Sequence, residues 1–384
     1  MAISKRPVVP AKYSILFIYC VIILYAAACS LKKPAYNWDI LPYMGVILSY
    51  DKADANTIHK NVYSIAKDQV PPVYYNRLVD PSNAYRNSVA QSPEKFRAQF
   101  PFYIVKPLYT GAAYLFYKAG IALPMSTVWP SVIAYFLTGL LLFFWLKKYW
   151  SGLYACIGSS LVMLSPPLLT VAGLSTPDAL SGLLLFTAVY FLTEKKSTAG
   201  TFVFLLLAVF ARLDNILPAV CFLSALFFTN NRNNKIPAGK IVFLFGILFL
   251  AYFAVSGNVR SYGWSVFYYP AFVKQLNSSY TANSIFDFKQ YISLAKSQLM
   301  TGLYFSLISL FFFLVLFLLW NSSLSGFSRL TMEQALAVIF VVIIIARFIL
   351  QPLVADRLYI PYYLSVIAFL VKKNSLAVSR QQLQ

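Results

Sequence analysis

Apolar residues run in long blocks along this chain, broken by short charged or proline-marked stretches. A hydrocarbon core about 30 Å thick takes roughly 20 apolar residues to cross at 1.5 Å each. Runs near that length recur at 13–30, 126–146, 152–168, 177–193, 199–211, 215–229, 239–256, 302–320, 332–350 and 359–371. The pattern predicts an all-α integral membrane protein of about 10 transmembrane helices, with 1–384 forming a single transmembrane domain. The stretch 103–123 is apolar enough to be a further span. Counting it would move Lys147-Lys148 and Lys195-Lys196 across the membrane, so it is read as membrane-dipping or juxtamembrane.

Two long segments remain outside these runs, 31–125 and 257–301. In the first, Ile58, Val62 and Ile65 recur at helical spacing, and Phe96 and Phe100 repeat the pattern. Both stretches predict amphipathic juxtamembrane helices lying in the interface. PVYYNRLVDPSN between them reads as loop. The second segment is aromatic-rich and reads as a cover over a membrane-level cavity.

Charge fixes the orientation. Charged residues are 11% of the chain, with 32 Lys and Arg against 12 Asp and Glu and a net charge of +20. The basic clusters fall in short loops: Lys147-Lys148, Lys195-Lys196, Arg232 with Lys235 and Lys240, Arg329, and Lys372-Lys373. Such loops stay cytoplasmic, which explains the excess without nucleic acid as a partner and puts both termini inside. Of the 12 acids, all but Glu194 and Glu333 then lie on the outward face. Short loops favour a bacterial inner membrane over the endoplasmic reticulum. The first run follows Lys5, Arg6 and Lys12 as in a signal peptide, but its length and the lack of a convincing small-residue cleavage site favour a retained signal anchor. Cys20, Cys29, Cys156 and Cys221 all sit in apolar runs, and no disulfide framework is expected.

The outward face gathers the candidate chemistry. Asp39 in WDILPY lies just past the first run and could be a helix cap or a reactive carboxylate. Asp178 opens a helix in STPDALSGLLLF, where a carboxylate also complements the helix dipole. Arg212 and Asp214 interrupt an apolar run in FARLDNILP, and Arg357 begins the last span in ADRLYIPYY. Arg347, about one turn inside the preceding run, should face the bundle interior. Lys106 adds a cation at the same level. His59 is the lone histidine and is expected on the polar face of its helix. A zinc site is not expected, whereas Mg²⁺ or Mn²⁺ held by Asp39 and Asp178 is compatible with the residues. No glycine-rich phosphate loop or serine-nucleophile elbow is present.

This layout resembles the C-type polyprenyl-phosphate-sugar-dependent membrane glycosyltransferases, including protein O-mannosyltransferases and lipid A aminoarabinose transferases. The resemblance rests on WDILPY, the Lys106-Pro107 region, TPDALSGLLLF, ARLDN and DRLYIPYY. It implies a GT-C-like fold and a transferase that moves a sugar from a polyprenyl-phosphate donor to an acceptor hydroxyl on the outward face, inverting the anomeric carbon. Asp39 matches the catalytic acid of the first outward loop. Lys106, Asp178, Arg212, Asp214 and Arg357 match positions that bind the donor phosphate or substrate. The acceptor would be a glycan, lipid or protein; the soluble C-terminal domain of many relatives is absent. Two other classes suit the same residues: a transporter or flippase of lipid-linked sugars, and a non-catalytic membrane assembly subunit.

Overall fold

The computed structural model describes residues 11–230, 237–257, 288–320 and 331–381. Arg232, Lys235, Arg329 and most of the aromatic segment 257–301 lie outside the described residues. Among the described residues the structure is helical, without strands. The chain begins with α1 (Ala11–Lys32) and continues through seven shorter helices: α2 (Ile40–Ser49), α3 (Ala55–Gln69), α4 (Pro72–Leu78), α5 (Ala84–Gln91), α6 (Pro93–Arg97), α7 (Pro101–Ile104) and α8 (Pro107–Lys118). The bundle helices follow: α9 (Leu123–Lys147), α10 (Gly152–Met163), α11 (Pro166–Ala172), α12 (Asp178–Tyr190), α13 (Thr198–Ala211), α14 (Ile216–Asn230), α15 (Ala238–Gly257), α16 (Phe288–Phe305), α17 (Ile308–Leu319), α18 (Met332–Leu350) and α19 (Ile360–Gln381).

Each apolar run predicted as a span contains a helix, but the helices do not all cross alone. Four are long and apolar enough, at Ser14–Lys32, Leu123–Lys147, Gly239–Gly257 and Met332–Leu350; with each bent pair taken as one span the number reaches 6. The count of about 10 is not reached because helices α12, α13 and α14 have only 13, 14 and 15 residues. The predicted span 152–168 is not one rod. Its two halves, α10 and α11, are bent by 69°, because Pro166 and Pro167 bar continuation of the preceding helix. A second bend of 70° separates α16 from α17, and residues 288–301, read as outward loop, are helical. Helix α8, inside the doubtful stretch 103–123, has 12 residues and spans about 18 Å, too short to cross unaided.

Two apolar cores follow from this layout. The larger lies inside the bundle, where α1 is a full constituent: Tyr19 stacks on Phe143 at 4.8 Å and donates to the Gly139 carbonyl at 2.7 Å. The smaller core belongs to 40–123. Ile58, Val62 and Ala66 of α3 are buried with Met44 and Ile47 of α2 and with Phe96 and Phe100. The apolar faces expected to rest in the interface are therefore consumed by packing within the protein. PVYYNRLVDPSN, expected as loop, contributes α4, for which Pro72 supplies a favourable first-turn residue. His59 is not on a free polar face either; it is half-buried between Tyr63 and Phe96, with Nε2 3.3 Å from the Val89 carbonyl.

The two acids assigned to the inside meet in one cluster. Glu194 binds Lys148, Tyr149 and Lys372, and Lys372 reaches Glu333 at 2.6 Å. A π-turn over Phe191–Lys195 ends α12 and carries Glu194 to this position. Along α12 and its extension, Asp178 and Glu194 stand about 24 Å apart, and Glu333 and Arg347 along α18 about 21 Å. Charge thus collects at the two ends of the bundle, with apolar packing between.

Candidate functional site

The site is built around the turn between α11 and α12. Ser131 and Thr127 on α9 are buried against Ser175 and Thr176 of the turn, where an all-apolar face would leave the turn's polar groups unmet. Ser131 Oγ donates to the Thr176 carbonyl at 2.9 Å, and Thr127 Oγ1 donates to Ser175 Oγ at 2.9 Å. The segment leaving α1 docks on the same turn. Ala35 N–H donates to the Gly173 carbonyl at 2.9 Å, and Ser175 N–H donates to Asn37 Oδ1 at 3.1 Å.

Asp39 is fixed through this docking. Asn37 Nδ2 donates to its Oδ2 at 2.8 Å, and the Tyr103 hydroxyl donates to its Oδ1 at 2.9 Å. Asn37 therefore ties Asp39 to the turn that carries Asp178, accepting with its carbonyl and donating with its amide. Asp39 stands at the start of α2, yet its side chain makes no capping bond there. The cap reading of Asp39 is thereby set aside, and the carboxylate is aimed at other partners.

Asp178 is buried and accepts from Thr176 Oγ1 at 2.9 Å. It pairs with Arg212 through Oδ1 and with Arg357 Nε through Oδ2 at 3.3 Å. Arg212 ends α13 and enters a short 3-10 turn, so its guanidinium also clasps Asp214 with Nε at 3.0 Å and Nη2 at 2.9 Å. Asp214, whose side chain is 42% exposed, pairs with Arg347 as well. Arg212, Arg347, Arg357 and Asp178 line one small cleft together with Ser181 and Gly182. Arg347 Nε is buried without a hydrogen-bond partner. An adjoining small apolar pocket, lined by Tyr135, Met163, Leu168, Val171 and Ile360, shares Asp178 with the cleft.

Lys106 caps the start of α8 over two aromatic rings, 4.9 Å from the Tyr103 centroid and 5.4 Å from that of Tyr43. It feels the charges of Arg212, Asp39, Asp178 and Asp214. Burial first, then the Arg212 charge, brings its pKa down to about 8. The structure thus brings Asp39, Lys106, Asp178, Arg212, Asp214 and Arg357 into one cluster. Asp356, beside Arg357, is outside it; it accepts from Leu307 N–H at 3.0 Å and from Tyr363 at 3.1 Å.

The cluster holds four cations, counting Arg347, against three carboxylates, leaving one positive charge in excess. That balance suits a singly charged anion with an apolar tail. It suits a divalent cation poorly, since both oxygens of Asp178 are engaged by guanidinium groups. Among the described residues no three His, Cys, Asp or Glu side chains converge as ligands. Asn37 and Tyr103 are functional candidates that the sequence did not single out, whereas Arg347, expected to face the bundle interior, is buried there. Only Arg347, an arginine inside an apolar run, carried a signal. Comparison with known proteins finds no matching family model, no matching curated protein and no matching solved structure.

Proposed function

We propose that the chain is a membrane glycosyltransferase of GT-C-like architecture, with about 10 crossings once the short helices α12, α13 and α14 and the last helix α19 are counted as spans beside the six. The donor is a sugar linked to a polyprenyl monophosphate, and transfer to an acceptor hydroxyl occurs on the outward face. The observation that carries this reading is the Asn37 bridge, which joins Asp39, a carboxylate without an ion-pair partner among the described residues, to the turn leading into Asp178 of the arginine-lined cleft.

In this reading the donor phosphodiester, with one negative charge, sits in the cleft against Arg212, Arg347 and Arg357. Its phosphate oxygen would accept from the unpartnered Arg347 Nε. The prenyl chain runs into the apolar pocket beside Asp178. The acceptor oxygen attacks the anomeric carbon while Asp39 takes its proton, and the bond between that carbon and the phosphate oxygen breaks with the electron pair on the phosphate. The leaving phosphate gains a second negative charge. Protonation of Asp39 raises the excess positive charge of the cluster by one at the same moment, so both states are balanced. No step requires a metal.

The test is purified protein in liposomes with a polyprenyl-phosphate sugar and candidate acceptors. Asp39→Asn is expected to lower kcat by about 10² to 10⁴ while donor binding persists. Transfer at the wild-type rate in that variant would remove Asp39 as base. Flipping of the donor without any transfer would favour a transporter instead.

A further inference from the structure

Beside Asp39 in the chain, two aromatic pairs are each covered by an arginine. Trp38 meets Tyr85 with ring centroids 5.7 Å apart, and the Arg86 guanidinium carbon lies 5.6 Å from the Trp38 ring centre. Tyr36 meets Tyr74 at 5.1 Å, and the Arg77 guanidinium carbon lies 5.9 Å from the Tyr74 ring centre. Arg86 Nη1 donates to the Arg77 carbonyl, which ties α4 to α5 and sets the pairs side by side. All four rings are half-buried, so each keeps part of a face or edge in the open.

The backbone here is held in an unfavourable state. Tyr36 has φ of 43°, a left-handed conformation that a bulky side chain rarely adopts. Hydrogen bonds on either side, from Ala35 N–H to Gly173 and from Ser175 N–H to Asn37, clamp it there. The same bonds that fix Asp39 therefore also fix the ring of Tyr36, three residues away.

The arginines are not satisfied by acids. Among the described residues neither Arg77 nor Arg86 makes an ion pair, although Arg97 and Lys95 add further positive charge nearby in sequence. Asp80, whose charge reaches Arg86, accepts from Ser82 N–H at 2.9 Å and Ser82 Oγ at 2.7 Å. Aromatic belts at a membrane surface also collect Trp and Tyr. Here, however, Pro71, Pro72, Asn76 and Arg77 of the same patch are exposed, a polar setting that hydrocarbon would not favour.

We propose that Tyr36, Trp38, Tyr74 and Tyr85, with Arg77 and Arg86, form the acceptor platform, and that the acceptor is a saccharide bearing an acidic group. This rests on the transferase reading. Flat rings with polar tips match the apolar face and hydroxyl edge of a sugar, and the two guanidinium groups recruit a carboxylate or phosphate on it. A single displacement requires the platform to deliver the acceptor hydroxyl to Asp39 on the face of the donor sugar opposite its phosphate.

Binding is measured on the full-length protein in nanodiscs without donor, with hexuronate oligosaccharides and phosphorylated oligosaccharides, each beside its neutral parent. At least one acidic member is expected to bind about fivefold or more tightly than its parent. Trp38→Leu and Tyr74→Leu lose binding of both members. Arg86→Gln removes only the preference, and Arg86→Lys restores part of it; this partial rescue separates charge recognition from a folding defect. Asp39→Asn binds as wild type. Absence of any acidic preference, or binding unchanged in the ring and arginine variants, overturns the platform. Binding with these features but no transfer leaves the platform standing and counts against the transferase reading alone.

Discussion

Asn37 shows how a neutral side chain can govern a charged one. It does not line the cleft, but its amide holds the Asp39 carboxylate in place. Asn37→Ala is expected to lower kcat about tenfold with the donor KM unchanged, because it releases the carboxylate without altering the arginine cleft. A rise in donor KM at constant kcat would refute that role. Lys106 gives a pH dependence of definite sign. Its pKa is brought down to about 8, so it carries charge below that value and loses it above. Donor binding should therefore weaken as pH rises through about 8, and Lys106→Arg should hold binding level up to pH 9, measured by donor titration. Stability moves the other way. The unfolded chain holds this proton up to the usual lysine range, so the penalty for the buried charge is full below about 8 and is relieved between there and roughly 10.4. Asp178, Arg212, Asp214 and Arg357 were legible in the sequence because each breaks an apolar run. Asn37 and Tyr103 were not: an asparagine in a polar loop and one of 28 tyrosines give no periodic or charge signal.

At the scale of elements, the short helices of 40–123 act as a frame for Asp39. Gly45 on α2 permits that frame, since a Cβ there would lie 2.5 Å from the Phe100 ring and 2.9 Å from that of Phe96. Gly45→Val is expected to destabilise this layer by about 1–3 kcal/mol through overpacking. Limited proteolysis should show it as faster cleavage within 31–125, with the bundle helices spared; unchanged cleavage would mean the rings can move aside. The spacing of Ile58 and Val62 announced α3, but the sequence could not say whether its apolar face met lipid or protein, since both solvents demand the same stripe. The break between α10 and α11 was written in Pro166-Pro167, and hydropathy averaging passed over it. The helix at 288–305 was missed for the opposite reason: its lysines and glutamine lower the mean hydropathy without weakening the helix.

For the whole molecule, the pattern of apolar runs was enough to indicate a helical membrane bundle, and the charge bias was enough to sort acids to one end. How the ends meet was not readable, because convergence of Asp178, Arg212, Arg347 and Arg357 depends on the packing of helices far apart in sequence. The two charged ends stand only about 21–24 Å apart along α12 and α18, less than the roughly 30 Å of an average hydrocarbon layer. The protein should thus impose a mismatch on its surroundings, thinning the bilayer around itself, which would bring the head of the proposed prenyl-phosphate donor down to the arginines. In liposomes of monounsaturated lipids, transfer should be fastest at acyl chains of about 14 to 16 carbons and decline several-fold at about 20 to 22. A flat profile across that series would mean that the bundle tilts or bends to absorb the difference. If the profile has a slope, bilayer composition becomes a regulator of this protein as real as its substrates.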